Sequence, residues 1–133
     1  MKVELFTLCD FAQENNGKLT IVGTFDTIVA KVFPMNHQSF SLAVRLRFDL
    51  WELGNHSFRI EACDIDGNSY VKPVEGSLTI RDVGNASSVV HLLYAFTDLK
   101  CKMPTVINFI LYIDDKEITS TPLYIKKIVQ QVG

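Results

Sequence analysis

The feature that most constrains the fold is a strict alternation across residues 40–50. Phe40, Leu42, Val44, Leu46, Phe48 and Leu50 are separated by Ser41, Ala43, Arg45, Arg47 and Asp49. Side chains on a strand point to opposite faces in turn, whereas a helix would scatter these apolar residues around its axis. The segment therefore reads as a strand with one buried and one wet face. Residues 57–62 repeat the pattern, with Phe58, Ile60 and Ala62 set against Ser57, Arg59 and Glu61. Between the two runs lies Trp51-Glu52-Leu53-Gly54-Asn55, which reads as the connector of a β-hairpin. The expected register puts Leu46 opposite Ile60, Phe48 opposite Phe58 and Arg45 opposite Glu61. A slip by one residue would bury Arg45 and Arg47.

Turn signals divide the rest of the chain in the same way. Strands are expected over 3–11 and 18–25, around a turn ending in Asn16-Gly17. Further strands are expected over 69–74, 77–83, 87–99, 105–113 and 118–125. Pro73 cannot donate to a ladder, which puts the strand over 69–74 at an edge. Asp66-Gly67 supplies the positive φ of a tight turn, and Asp114-Asp115-Lys116-Glu117 is a polar turn. One segment fits two readings. Phe25, Ile28, Val29, Val32 and Phe33 fall at helical spacing, while their β-branched content favours a bent strand. Closely spaced turns between short alternating runs describe an all-β chain. The expectation is a two-layer antiparallel β-sandwich of eight or nine strands, immunoglobulin-like or related in topology, forming one domain over residues 1–133.

Composition narrows the function classes. Thirteen basic and fifteen acidic residues are interspersed, for a net charge of −2. Phosphate neutralisation needs a basic footprint, so a nucleic-acid partner is not expected. No apolar run approaches the ~18 residues of a membrane helix, and the short run after Met1 does not resemble a signal segment. Cys9, Cys63 and Cys101 are odd in number and widely spaced, which suggests reduced thiols in a cytoplasm rather than a disulfide framework.

Candidate chemistry is sparse. Asp64-Ile65-Asp66-Gly67-Asn68 is the nearest approach to a calcium loop, but its third acidic position is displaced and no Glu closes it. His37, His56 and His91 lack zinc-ligand spacing with any Cys or His. No cofactor is expected. Arg45, Arg47, Arg59 and Glu61 fall on the wet face of the expected hairpin. They form the candidate binding patch, for an anion or a protein partner.

Three stretches carry a family resemblance. The first is Leu8-Cys9-Asp10 with residues 17–28 and Phe33-Pro34. The second is Gly54-Asn55-His56 leading to Asp64-Ile65-Asp66-Gly67. The third runs from 109 to 118 and ends in Thr121-Pro122-Leu123-Tyr124-Ile125. Together they resemble a family of short bacterial proteins of unknown function. The resemblance implies a sandwich fold and supplies no activity.

The leading functional expectation is a non-enzymatic binding or assembly module acting through protein–protein contacts. The alternatives are a hydrolase with a scattered catalytic site and a calcium-dependent surface binder. Self-association is part of the expectation. Val89, Leu93 and Ala95 lie on one face of their strand and Val90, Leu92, Tyr94 and Phe96 on the other. Residues 3–11 are similarly apolar on both sides. A sandwich strand has one outer face, so these must be covered. The cover is either the 25–33 segment folded across a sheet or a second copy in a homodimer.

Overall fold

Two hairpin turns set the local geometry. Asn16 and Gly17 have φ of 51° and 76°, and Asp114 and Asp115 have 51° and 63°. Two consecutive positive φ values give the turn whose twist matches that of the flanking strands. In the computed structural model, which describes residues 1–129, these turns join β1 (Lys2–Asn15) to β2 (Lys18–Phe25) and β8 (Thr105–Ile113) to β9 (Lys116–Lys127). The remaining strands are β3 (Thr27–Ala30), β4 (Met35–Asp49), β5 (Gly54–Cys63), β6 (Val74–Ile80) and β7 (Ser87–Cys101).

The nine strands form two sheets. The first has the order β2-β1-β4-β7 and the second β3-β9-β8-β5-β6. All pairings are antiparallel except β3 with β9, where Thr27 pairs Tyr124 in parallel. Strand order follows the immunoglobulin plan. β1, β4 and β7 stand at the A, B and E positions and β5, β8 and β9 at C, F and G. The D position beyond β7 holds no strand among the described residues.

Phe40, Leu42, Val44, Leu46 and Phe48 of β4 are all buried, as the alternation requires. Ile60 and Ala62 of β5, Ile107, Phe109 and Leu111 of β8, and Leu123 and Ile125 of β9 meet them from the second sheet. Phe40 stacks on Phe96 at 5.2 Å, and Phe109 presents an edge to both, at 5.9 and 5.5 Å. Fully burying each such side chain is worth about 1.5–3 kcal/mol.

The expected hairpin between residues 40–50 and 57–62 does not form. β4 pairs with β1 and β7, and Leu46 faces Val3 and Val90 rather than Ile60. β5 belongs to the other sheet, where Ile60 pairs Leu111. Leu50–Glu52 makes a 3-10 turn, held by the Asp49 amide donating to Glu52 Oε1 at 2.9 Å, and carries the chain across the sandwich. Leu46 and Ile60 both point inward, but from opposite walls of one core. The expected strand over 69–74 is also absent. Only Ser69 makes an isolated bridge, to Cys63, and Pro73 precedes the edge strand β6. The ambiguous 25–33 segment is extended, with Thr27–Ala30 as a short strand that has moved from the first sheet to the second.

The outer face of the first sheet has an intramolecular cover. Cys9 and Ala43 point outward yet are fully buried. β4 lies between β1 and β7 in the sheet, and Leu5 pairs Arg45, which pairs His91. Residues 5 to 14 would span roughly 30 Å if straight. Glu14 nevertheless comes within 3.3 Å of His91. The end of the β1–β2 hairpin therefore folds back over this face. Half-buried Ala12, Leu19 and Ile21 share the Glu14 side, while Phe11, Gln13, Thr20 and Val22 face water. The bend lies near Gly23, at φ 68°, where a Cβ would collide with the Asp10 carboxylate.

Candidate functional site

The sandwich divides the sequence-derived patch. Arg45 and Arg47 lie on the outer face of the first sheet, Arg59 and Glu61 on the outer face of the second, with the core between them. Each half is satisfied locally. Glu4 sits between the first two arginines. Its Oε1 accepts from Arg45 Nε and its Oε2 from Arg47 Nε, each at 2.8 Å. The hydrogen bonds from Arg47 and then Arg45 hold the Glu4 carboxyl down at about 2. Arg47 Nη1 also donates to Ser87 Oγ at 2.8 Å.

Arg45 Nη1 lies 2.8 Å from His91 Nε2. A guanidinium offers only donors, so Nε2 accepts and the ring proton sits on Nδ1, which faces Glu14. His91 is thus a bridge in a Glu14–His91–Arg45–Glu4–Arg47–Ser87 chain, and its side chain is 4% exposed. That chain fastens the folded-back hairpin to the sheet. It leaves Nε2 no access to a substrate.

On the opposite face Arg59 Nε donates to Glu61 Oε1 at 2.9 Å and Nη1 to Asp115 Oδ1 at 3.3 Å. Its guanidinium also lies 4.2 Å from the centroid of the Tyr112 ring. Cation–π attraction and two carboxylates hold it flat along the sheet. A shallow cleft of about 430 Å³ borders Arg59, Tyr112, Asp115, Glu75 and Ser77. The carboxylates around it oppose an anion.

His56 links three elements. Nδ1 bonds Asp114 Oδ2 and Nε2 bonds the Glu52 carbonyl, both at 2.6 Å. Two acceptors favour two ring protons. Its pKa is raised above the usual histidine value by the hydrogen bond to Asp114 and then by the Glu52 carbonyl. Sequence spacing gave no sign of this, because Asp114 arrives from the β8–β9 turn. The three thiols are all pushed up, with desolvation the first cause in each. Raised thiols are weak nucleophiles.

The Asp64 carboxylate is a staple of its own loop. It accepts from the Asp66 and Asn68 amides at 3.0 and 2.9 Å, from Asn68 Nδ2 at 3.0 Å and from the Tyr70 hydroxyl at 3.0 Å. Gly67 turns at φ 84°.

The least guarded surface is the free edge of β7. Among the described residues its backbone bonds run to β4 alone. An unpaired edge is a template for another strand unless it is short, charged, bulged or interrupted by proline. On β7 such devices are confined to the end of the strand, where Asp98 turns to φ 55° and Lys100 follows, while each of the other three edges carries one or more. β3 has four residues, β6 follows Pro73 and contains Glu75 and Gly76, and β2 begins at Lys18 and bends at Gly23. Between Ser88 and Thr97, β7 has no Lys, Arg, Asp, Glu, Pro or Gly. Its inward row contains Tyr94, paired with buried Leu42, yet Tyr94 is 42% exposed. The second sheet does not close the sandwich at this point. In the sequence the two-sided apolar pattern over 89–96 points to a strand covered on both faces, and nothing in it marks β7 as an edge.

These features define the protein as an immunoglobulin-like sandwich domain with one open sheet edge. Within that class the chain belongs to a family of unknown function, DUF6941, whose family model matches residues 4–126. No curated protein and no solved structure matches the chain.

Proposed function

We propose that this domain is a non-enzymatic binding or assembly module that acts through protein contacts, with the free edge of β7 as the contact. The observation that carries the reading is that β7 is the longest of the four edge strands and, apart from Asp98 at φ 55° and Lys100 near its end, leaves Ser88–Thr97 without a guard. Strand addition to such an edge gains main-chain hydrogen bonds, and alternate side chains supply specificity. The titratable groups support the same reading. His56, His91, Arg45, Arg47 and Arg59 are each hydrogen-bonded within the fold, as structural pairs are, and His37 packs its ring against Phe25 and Phe40. The proposal sets the module in a bacterial cytoplasm, since three free cysteines suit a reducing compartment and the sequence resemblance is to bacterial proteins.

A photoreactive side chain placed at Tyr94, with a control at Tyr124 on β9, tests the reading in extract of the native host. The expected result is a discrete protein adduct at 94 and none at 124. Equal labelling at both positions, or turnover of ester, phosphate or glycoside substrates that disappears in His91→Ala or His56→Ala, would overturn it.

A further inference from the structure

Resting on the β7 reading, we infer that the strand which adds to this edge is β7 of a second copy, giving a continuous sheet β2-β1-β4-β7-β7′-β4′-β1′-β2′. Two identical strands pair antiparallel about a two-fold axis, and each then supplies the donors and acceptors the other lacks. The sequence of the edge suits self-pairing. A two-fold at Leu92 sets Val90 against the partner's Tyr94 on the inward row. On the outward row it sets Val89 against the partner's Ala95 and His91 against the partner's Leu93. No acidic or basic side chain meets its like between Val89 and Ala95. Tyr94, inward-facing and 42% exposed, then gains an apolar neighbour at the point where the sandwich is open.

Such an assembly would stop at two. The pairing consumes both β7 edges, and the edges left over are the guarded ones. The position filled is that of the D strand, which a constant-type immunoglobulin sheet supplies from its own chain. A seam of one strand pair with its flanking side chains is small beside the ~1,600 Å² of a standard interface, so the dimer is a weak, concentration-dependent one.

Sedimentation velocity of the full chain between about 1 and 500 µM tests it. The expected result is a species of twice the 15.0 kDa chain mass growing in with concentration. Tyr94→Glu should move the midpoint at least tenfold higher. Ala95→Lys, at an exposed outward position, should do the same and leave the melting curve unchanged. Tyr124→Glu should move nothing. A single 15.0 kDa species throughout, or an equal effect of Tyr124→Glu, overturns the homodimer. Hydrogen exchange on the same samples separates the two readings. A monomer whose β7 amides exchange fast at alternate residues overturns the second copy but leaves an open edge for another partner. A monomer with every β7 amide protected overturns both.

Discussion

The Glu14 carboxylate lies 3.3 Å from His91 Nδ1, although β4 separates their strands in the sheet. The contact fixes where the β1–β2 hairpin goes. It accounts for a fully buried Cys9 and Ala43 on a face that would otherwise be wet. The apolar outer residues of β1 are therefore covered from within the chain, by the hairpin end and not by the 25–33 segment.

Gly23 is the expected weak point of that cover. An alanine there suffers both the positive φ of 68° and a collision with the Asp10 side chain. Gly23→Ala should cost more than the ~1–2 kcal/mol of left-handed strain alone. Gly17→Ala, where an added Cβ meets nothing, should show only the strain. Adding Asp10→Ala to Gly23→Ala should recover the excess. Chemical denaturation of these three variants and of Asp10→Ala alone checks it, and full additivity would reject the collision.

Leu46 and Arg45 are adjacent but belong to opposite faces. Leu46 is fully buried against both sheets, so Leu46→Ala should cost about 2–5 kcal/mol. Arg45 is one-third exposed, and its removal leaves Glu4 paired with Arg47. Arg45→Ala also takes the donor from His91 Nε2, so it should cost about 1 kcal/mol, still well below Leu46→Ala. Urea titration distinguishes the two, and similar values would contradict this division of faces.

The His56–Asp114 pair predicts a pH window. His56 is raised above 6.5 in the fold, by Asp114 first. Its contribution is complete below the unfolded value and is lost as pH rises through the folded one. Asp114 is lowered below 3.8, by His56 first, so its contribution is present above that value and is lost as pH falls through the folded one. The stability difference between the wild type and His56→Ala should peak at about pH 4–6.5 and shrink on the alkaline side. Melting temperatures measured across that range and on its alkaline side check it. A difference that grows above neutrality would show that His56 acts as a neutral ring.

Gly67→Ala should destabilise by about 1 kcal/mol or more, because φ is 84° and no added contact offsets the strain. With Asp64 already accepting four hydrogen bonds, calcium should leave the melting temperature unchanged. A large calcium-dependent rise would identify the loop as a metal site.

The sequence by itself determined which residues of β4 and β5 face inward and where the chain turns, though β1 and β7 are apolar on both faces. Phe40 to Phe48 alternate into the core as their pattern requires. β2 and β8 have the bounds expected of them, and the Asn16-Gly17 and Asp114-Asp115 turns fall at their marked positions. These are local properties, fixed by side-chain parity and backbone sterics. Only the tertiary structure decided which strands are neighbours. A period-two pattern states that one face is buried, and it is the same whether the next strand lies alongside or across the core. Trp51-Glu52-Leu53 fits a hairpin loop as well as the crossing it makes, so the partners of Leu46 and the division of Arg45 and Arg47 from Arg59 and Glu61 were not legible. The same reason hid Asp114 from His56 and Glu14 from His91. Those contacts join residues far apart in sequence, and packing of the two sheets brings them together.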